Sequence, residues 1–204
     1  MPVFWRRRSS ADALQRWVVV DVETTGMNLA ADELISIGGV AIVGDRVIPG
    51  DSMEITVKRA TASSRDNILV HGVGAQAQLA GTDPARAMRA FVDFVGPAPL
   101  LAFHAHFDRT FVARAIKIHI DHPFDNRWLD LAELAPAVDP EAPLKSLDDW
   151  LQRYQIPVLA RHSAAADAFA TALLAARLLP KARQQGARDF VSLQRLARSA
   201  RWLQ

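Results

Sequence analysis

Three strand-like segments occupy the start of the chain, and their order constrains the fold more than any other feature. Trp17–Val22, Leu34–Val43 and Val47–Val57 are rich in β-branched residues. Gly44-Asp45 between the second and third is a hairpin-type turn signal. The pattern predicts a three-stranded antiparallel meander. Beyond it, short apolar runs alternate with helical periodicities. Leu100–Phe103 reads as a buried strand and Asn126–Leu134 as a short strand running into a turn or helix. Pro84–Val95 reads as a helix capped by Asp83, with further helices over Phe107–Ile118, Leu147–Tyr154 and Asp189–Leu203. The alanine-rich stretch Ala164–Leu179 is a strong helix by propensity, expected to stop at Pro180. Residues 58–83 carry no clear period and read as irregular. A meander followed by alternating strands and helices implies an α/β fold with a mixed sheet.

At 204 residues, half of them hydrophobic, the chain has material for one domain with a sizeable core. No run approaches 18 consecutive apolar residues, so no membrane span is expected, and the start does not read as a signal peptide. The absence of cysteine excludes a disulfide framework, a thiolate nucleophile and a thiolate zinc site. A cytoplasmic enzyme or binding protein is the expectation. The net charge of +2 hides an uneven distribution. Residues 1–16 hold four arginines against one aspartate, residues 17–144 hold 10 basic against 17 acidic side chains, and residues 145–204 hold 10 against four. An acidic middle between basic ends suits a carboxylate metal site with a nucleic-acid-facing rim, although chance asymmetry of a solvated surface gives the same numbers.

Four acids and one histidine carry the chemistry. In Val20-Asp21-Val22-Glu23-Thr24-Thr25-Gly26, strand alternation puts Asp21 and Glu23 on one face about 7 Å apart along the backbone. Two carboxylates placed so after an apolar run are costly unless a cation or hydrogen bonds compensate them, or the strand end is solvated. Asp108 follows a strand and a loop, at the start of a helix, where α/β folds place chemistry and where a plain helix cap also fits. Asp167 is the one acid between Asp149 and Asp189, in a very apolar helix. His162 lies five residues earlier, in the lead-in to that helix, with the reach a general base needs; a capping or core histidine is the alternative. His104 and His106 alternate as zinc ligands can, but no third histidine is near and the carboxylates favour a hard cation. Four acids from three elements plus a neutral imidazole meet the needs of two-metal phosphodiester hydrolysis.

At these residues the chain resembles the DEDDh 3′–5′ exonucleases, the family of the proofreading epsilon subunit of bacterial DNA polymerase III. The resembling motifs are Val19-Val20-Asp21-Val22-Glu23-Thr24-Thr25-Gly26, the segment ending Phe107-Asp108, and His162 with Asp167-Ala168. Val70-His71-Gly72-Val73, Asp130-Leu131 and Leu144-Lys145-Ser146-Leu147 resemble landmarks between them. The resemblance runs from about residue 15 to residue 180 and implies an RNase H-like fold with a mixed five-stranded sheet flanked by helices. It implies two Mg²⁺ ions, replaceable by Mn²⁺, with Asp21 bridging both and Glu23 and Asp167 completing the shell of one. Asp108 would hold the second, and His162 would be the general base. Thr24, Thr25 and Gly26 would line the pocket of the 3′-terminal nucleotide, with Phe107 near the entering strand. Where the family carries His-Asn, this chain has Phe103 and His104, and His104 is the candidate to bind substrate in the asparagine's place.

The expected activity is metal-dependent 3′–5′ hydrolysis of DNA, single-stranded by preference, releasing 5′-nucleoside monophosphates. The same site would serve an exoribonuclease, because it reads the phosphodiester and not the sugar; a non-catalytic binding or polymerase-accessory subunit is the reading from another class. The expected partner is nucleic acid with a free 3′ end, with no membrane. No clear clamp-binding peptide of the Gln-Leu-x-Leu type is seen, which favours a stand-alone enzyme. The chain divides into a basic arm over residues 1–14, an exonuclease domain over 15–182 and a C-terminal amphipathic helix over 183–204. Trp5-Arg6-Arg7-Arg8 in the arm could grip phosphates, and Arg195, Arg198 and Arg201 form a basic side opposite Leu193, Leu196 and Leu203.

Overall fold

A computed structural model describes residues 16–141, 144–157 and 163–199. The meander is present as β1 (Arg16–Thr24), β2 (Leu34–Val43) and β3 (Arg46–Thr56), antiparallel throughout. Two short strands, β4 (Leu100–Ala102) and β5 (Trp128–Asp130), continue the sheet on the other side of β1, in parallel. The order is β3-β2-β1-β4-β5, a mixed five-stranded sheet with β1 at its centre. Its register sets Asp21 opposite Gly38 and Glu23 opposite Ser36, with Glu54 and Thr56 opposite those two on β3.

Helices cover both faces. In chain order they are α1 (Arg65–His71), α2 (Ala75–Ala80), α3 (Pro84–Val95), α4 (Ala105–Ile120), α5 (Leu131–Val138), α6 (Leu147–Arg153), α7 (Ala164–Gln184) and α8 (Phe190–Ser199). Alternation along β1 separates two cores. Val18, Val20 and Val22 pack with Ala87, Met88 and Phe91 of α3 and with Phe111, Val112 and Ile116 of α4. Trp17 and Val19 face the other way, with Leu174 and Leu178 of α7, Leu131 and Leu134 of α5, and Trp150 of α6. The final helix α8 joins this second core through Phe190, Leu193 and Ala197, and the Phe190 ring stacks on Trp17 at 6.0 Å.

Several elements differ from the sequence expectation. Residues 58–83 are not irregular throughout, since they hold α1 and α2. Ser64 caps α1 by accepting from the Asn67 N–H, and Gly72 ends it in the left-handed region at φ 70°. Helix α4 begins at Ala105, two residues earlier than its periodicity suggests. Helix α7 does not stop at Pro180 but continues to Gln184. A proline there removes one helical hydrogen bond, while burial of Leu178, Leu179 and Ala182 keeps the helix against the core. Helix α8 opens on Asp189, whose carboxylate accepts from the Ser192 N–H, and is described to Ser199. Arg201, Leu203 and the segment Trp5–Arg8 lie outside the described residues.

Candidate active site

The site lies where β1 ends. Alternation puts Asp21 and Glu23 on the sheet face that α7 covers, and Asp167 stands in the first turn of that helix. Ser163 starts α7 by accepting from the Ala166 N–H at 3.2 Å, and its carbonyl accepts from the Asp167 N–H at 2.9 Å. One carboxylate oxygen from each of Asp21, Glu23 and Asp167 lies within 4.8 Å of the other two. Asp167 is buried, and the two β1 acids are half-buried. The approach depends on Gly38, between Asp21 on β1 and Glu54 on β3. A Cβ there would stand 2.2 Å from the backbone carbonyl of Ala164. Only glycine lets the start of α7 sit directly on the sheet. Glu54 steadies it by accepting from the Ala165 N–H.

Asp108 arrives from the opposite layer. It lies in the first turn of α4 and is only 4% exposed. It stands outside the group of three. Burial pushes its carboxyl well above the usual carboxylate range, and the charges of Asp130 and Glu23 push the same way. Its own backbone N–H and that of Val22 pull it back. Asp130 fixes the start of α4, accepting from the N–H groups of His104 and Ala105 at 3.0 Å while capping α5 through Ala132. Burial raises the Asp130 carboxyl, partly offset by those hydrogen bonds.

His104 has φ 63° and ψ 50°, the left-handed region. Histidine is among the few non-glycine residues enriched there, so the backbone admits it without unusual strain. Its ring is exposed and meets Phe103 edge-on at 4.8 Å. Phe107, one turn along, is half-buried against Phe111. Thr24, Thr25 and Gly26 follow the irregularity that ends β1. The Thr24 hydroxyl donates to the Gly26 carbonyl at 2.7 Å, and the Thr25 hydroxyl donates to Asp32 at 2.9 Å. A Cβ on Gly26 would lie 2.5 Å from the Asp32 carboxylate. His162 lies outside the described residues.

The structure thus brings Asp21, Glu23 and Asp167 together, with Asp108 buried at their edge. Sequence reasoning missed the residues that hold the turn over residues 24–26 in place. Asn67 donates to the Thr24 carbonyl at 3.0 Å and accepts from His71 Nε2 at 2.8 Å. His71 in turn accepts from the Val73 N–H through Nδ1, which assigns its proton to Nε2. Burial holds this imidazole neutral by lowering its pKa. Arg114 of α4 donates to the carbonyls of Leu29 and Asp32, tying the Thr25–Glu33 loop to the helix that carries Asp108. The one available signal was His71, which sequence reading singled out without a role.

A family model described as Exonuclease matches residues 18–175. This chain belongs to the exonuclease family. A DNA polymerase III subunit epsilon-like protein of Rhodobacter capsulatus is 36% identical over 179 residues, which are 85% of this chain and 25% of that protein. The PolC-type DNA polymerase III of Bacillus subtilis is 28% identical over 84% of this chain and 12% of that protein. The chain therefore spans a quarter or less of the length of these relatives. Among solved structures, E. coli exonuclease I in complex with a dT13 oligonucleotide superposes with a TM-score of 0.72 at 20% identity, covering 84% of this chain and 42% of that one. A moderately thermophilic exonuclease I from Methylocaldum szegediense gives 0.67 at 19% identity, over 79% and 39%. The mixed sheet and flanking helices are the RNase H-like α/β fold expected from the motifs. No described helix is long and apolar enough to cross a membrane.

Proposed function

We propose that this chain is a metal-dependent 3′–5′ exonuclease acting on DNA, single-stranded by preference. The observation that carries the reading is the convergence of Asp21, Glu23 and Asp167 within 4.8 Å at the end of the central strand. Their donor set fits the implied metal: all ligands are carboxylate oxygens, which hard cations such as Mg²⁺ and Mn²⁺ take. Asp21 would touch both ions of a pair, Glu23 and Asp167 would complete the shell of one, and Asp108 would hold the other. When bound, such cations activate water and stabilise charge on the phosphoryl oxygens.

His162 takes the proton of the attacking water. The water oxygen forms a bond to the terminal phosphorus, the bond from phosphorus to the 3′-oxygen of the penultimate nucleotide breaks, and that oxygen is reprotonated from solvent. A 5′-nucleoside monophosphate leaves. His162 must be neutral to accept the proton, so the rate rises with pH through the neutral range. Thr24, Thr25 and Gly26 seat the terminal nucleotide, and His104 and Phe107 meet the strand behind it. The partner is nucleic acid with a free 3′ end.

The test uses 5′-labelled single-stranded DNA and RNA of equal length, with Mg²⁺, Mn²⁺ or EDTA, and Asp21→Asn as the control. The expected result is a ladder shortening from the 3′ end of DNA, absent with EDTA and in the variant. Faster shortening of RNA would transfer the same chemistry to RNA turnover. No cleavage of either strand by folded protein would sink the enzymatic reading.

A further inference from the structure

Ser36 lies on β2, between Ile35 and Ile37, and is 1% exposed. Its hydroxyl has no hydrogen-bond partner among the described residues. A buried hydroxyl with no partner destabilises a fold, and alanine would keep the Cβ without that cost. The register gives the position its meaning. Ser36 is the direct cross-strand partner of Glu23, and the adjacent row on the same face pairs Gly38 with Asp21. Directly paired residues in an antiparallel sheet project to one face with Cβ atoms about 5 Å apart. The orphan hydroxyl therefore shares the sheet face of Asp21 and Glu23, which is the face on which α7 presents Asp167.

We propose that Ser36 is a positioning residue of the metal centre, its hydroxyl donating to a Glu23 carboxylate oxygen or to a water on the cation that Glu23 holds. The inference rests on the metal reading of the acidic group and adds a residue to it. Glu23 has a single-bonded path to its carboxylate through two methylenes, so its orientation is set by what grips the carboxylate rather than by the strand. A donor fixed in the neighbouring strand restricts that freedom and keeps an oxygen turned toward Asp21 and Asp167. Removing such outer-shell donors typically costs about 10–100-fold in metal affinity or activity.

The deciding measurement is Mn²⁺ binding to the metal-free protein. Free Mn²⁺ is counted by electron paramagnetic resonance, and thermal denaturation is followed in parallel with and without the metal. Four proteins are compared: wild type, Ser36→Ala, Thr56→Val and Asp21→Asn. Thr56 is the other neighbour of Ser36 in the row and serves as a matched control. The expected result is an Mn²⁺ dissociation constant about tenfold weaker in Ser36→Ala, with Thr56→Val unchanged. Without metal, Ser36→Ala should melt at or above the wild-type temperature, because the substitution removes only an unmatched hydroxyl. Equal Mn²⁺ affinity in wild type and Ser36→Ala, or an equal loss in Thr56→Val, overturns the proposal. So does a lower metal-free melting temperature with unchanged affinity, which would make Ser36 purely structural. If wild type binds Mn²⁺ no better than Asp21→Asn, the metal centre itself fails, and the role of Ser36 with it.

Discussion

Gly38→Ala tests how the site is assembled. The added Cβ would stand 2.2 Å from the carbonyl carbon and oxygen of Ala164 and 2.5 Å from the Ala165 nitrogen. All three are backbone atoms at the start of a 21-residue helix, so no side chain can swing aside. Restoring ordinary contact requires the end of α7 to retreat from the sheet by about 1 Å. Asp167 is three residues further along that helix and moves with it. A displacement of that size in a catalytic constellation can lower kcat by about 10²-fold, and overpacking of this kind costs about 1–3 kcal/mol. In a domain of this length each kcal/mol lowers the melting temperature by about 2–4 °C. Gly50→Ala is the control, because nothing lies within 4 Å of its Cβ position; it should gain about 0.4–1 kcal/mol from reduced freedom of the unfolded chain. The assay is single-turnover hydrolysis of 5′-labelled single-stranded DNA at saturating Mn²⁺, with thermal denaturation alongside. If Gly38→Ala keeps the wild-type rate, the seat of α7 on Gly38 does not set the position of Asp167 and the reasoning is refuted.

Three further outcomes follow from groups with definite partners or none. Because burial raises the Asp108 carboxyl, the native state keeps a proton that the unfolded chain releases near about pH 3.9. Above that value the native state therefore holds more protons than the unfolded chain, and metal-free stability falls as pH rises. Asp108→Asn should melt above wild type in EDTA at pH 8, with the gap closing near pH 4; an equal gap at both pH values contradicts the burial argument. Asn67→Ala leaves the Thr24 carbonyl without its side-chain donor and the His71 Nε2–H with only the longer contact to the Ser63 hydroxyl at 3.3 Å, at a cost of about 1–3 kcal/mol. Steady-state kinetics should show KM rising severalfold with a smaller change in kcat, and an unchanged KM would remove Asn67 from the pocket. Trp150→Phe discards a buried indole N–H that has no partner among the described residues. Urea denaturation should place it within about 1 kcal/mol of wild type, not at the 3–5 kcal/mol typical of truncating a core tryptophan to alanine.

The parts legible in the sequence were those with a period or a conspicuous exception to one. Strand alternation put Asp21 and Glu23 on one face, and the structure keeps them there. Asp167 stood out as a lone acid in an apolar helix, and it completes their group. The segment around α1 and α2 was opaque because tertiary hydrogen bonds hold it, not amphipathic pattern. The Gln78 side chain donates to the Val73 carbonyl and to Ser63, and accepts from the Ser63 N–H. Such links between a buried amide and a loop leave no periodic trace. Pro180 misled for a related reason: a single lost hydrogen bond was outweighed by the burial of Leu178, Leu179 and Ala182 on either side of it. Gly38 gives no turn signal either, since its requirement comes from a helix 126 positions away in the chain.

The same long-range logic explains why the acids are drawn from separate elements. Carboxylates crowded on one strand or one helix turn would repel in every state of the chain, including the unfolded one. Here Asp21 and Glu23 come from β1, Asp167 from a helix on one face and Asp108 from a helix on the other. Asp21 and Glu23 repel each other in every state, but the repulsion that Asp108 and Asp167 add arises only when both layers close on the sheet, and the upward push on Asp108 by Glu23 and Asp130 registers it. The fold opposes this with backbone donors at fixed places: the Val22 N–H toward Asp108, and the start of α4 toward Asp130. Divalent cations between the layers would convert that repulsion into attraction. A site assembled in this way ties metal affinity to the packing of both helical layers, so substitutions such as Gly38→Ala, which touch no ligand, should weaken it.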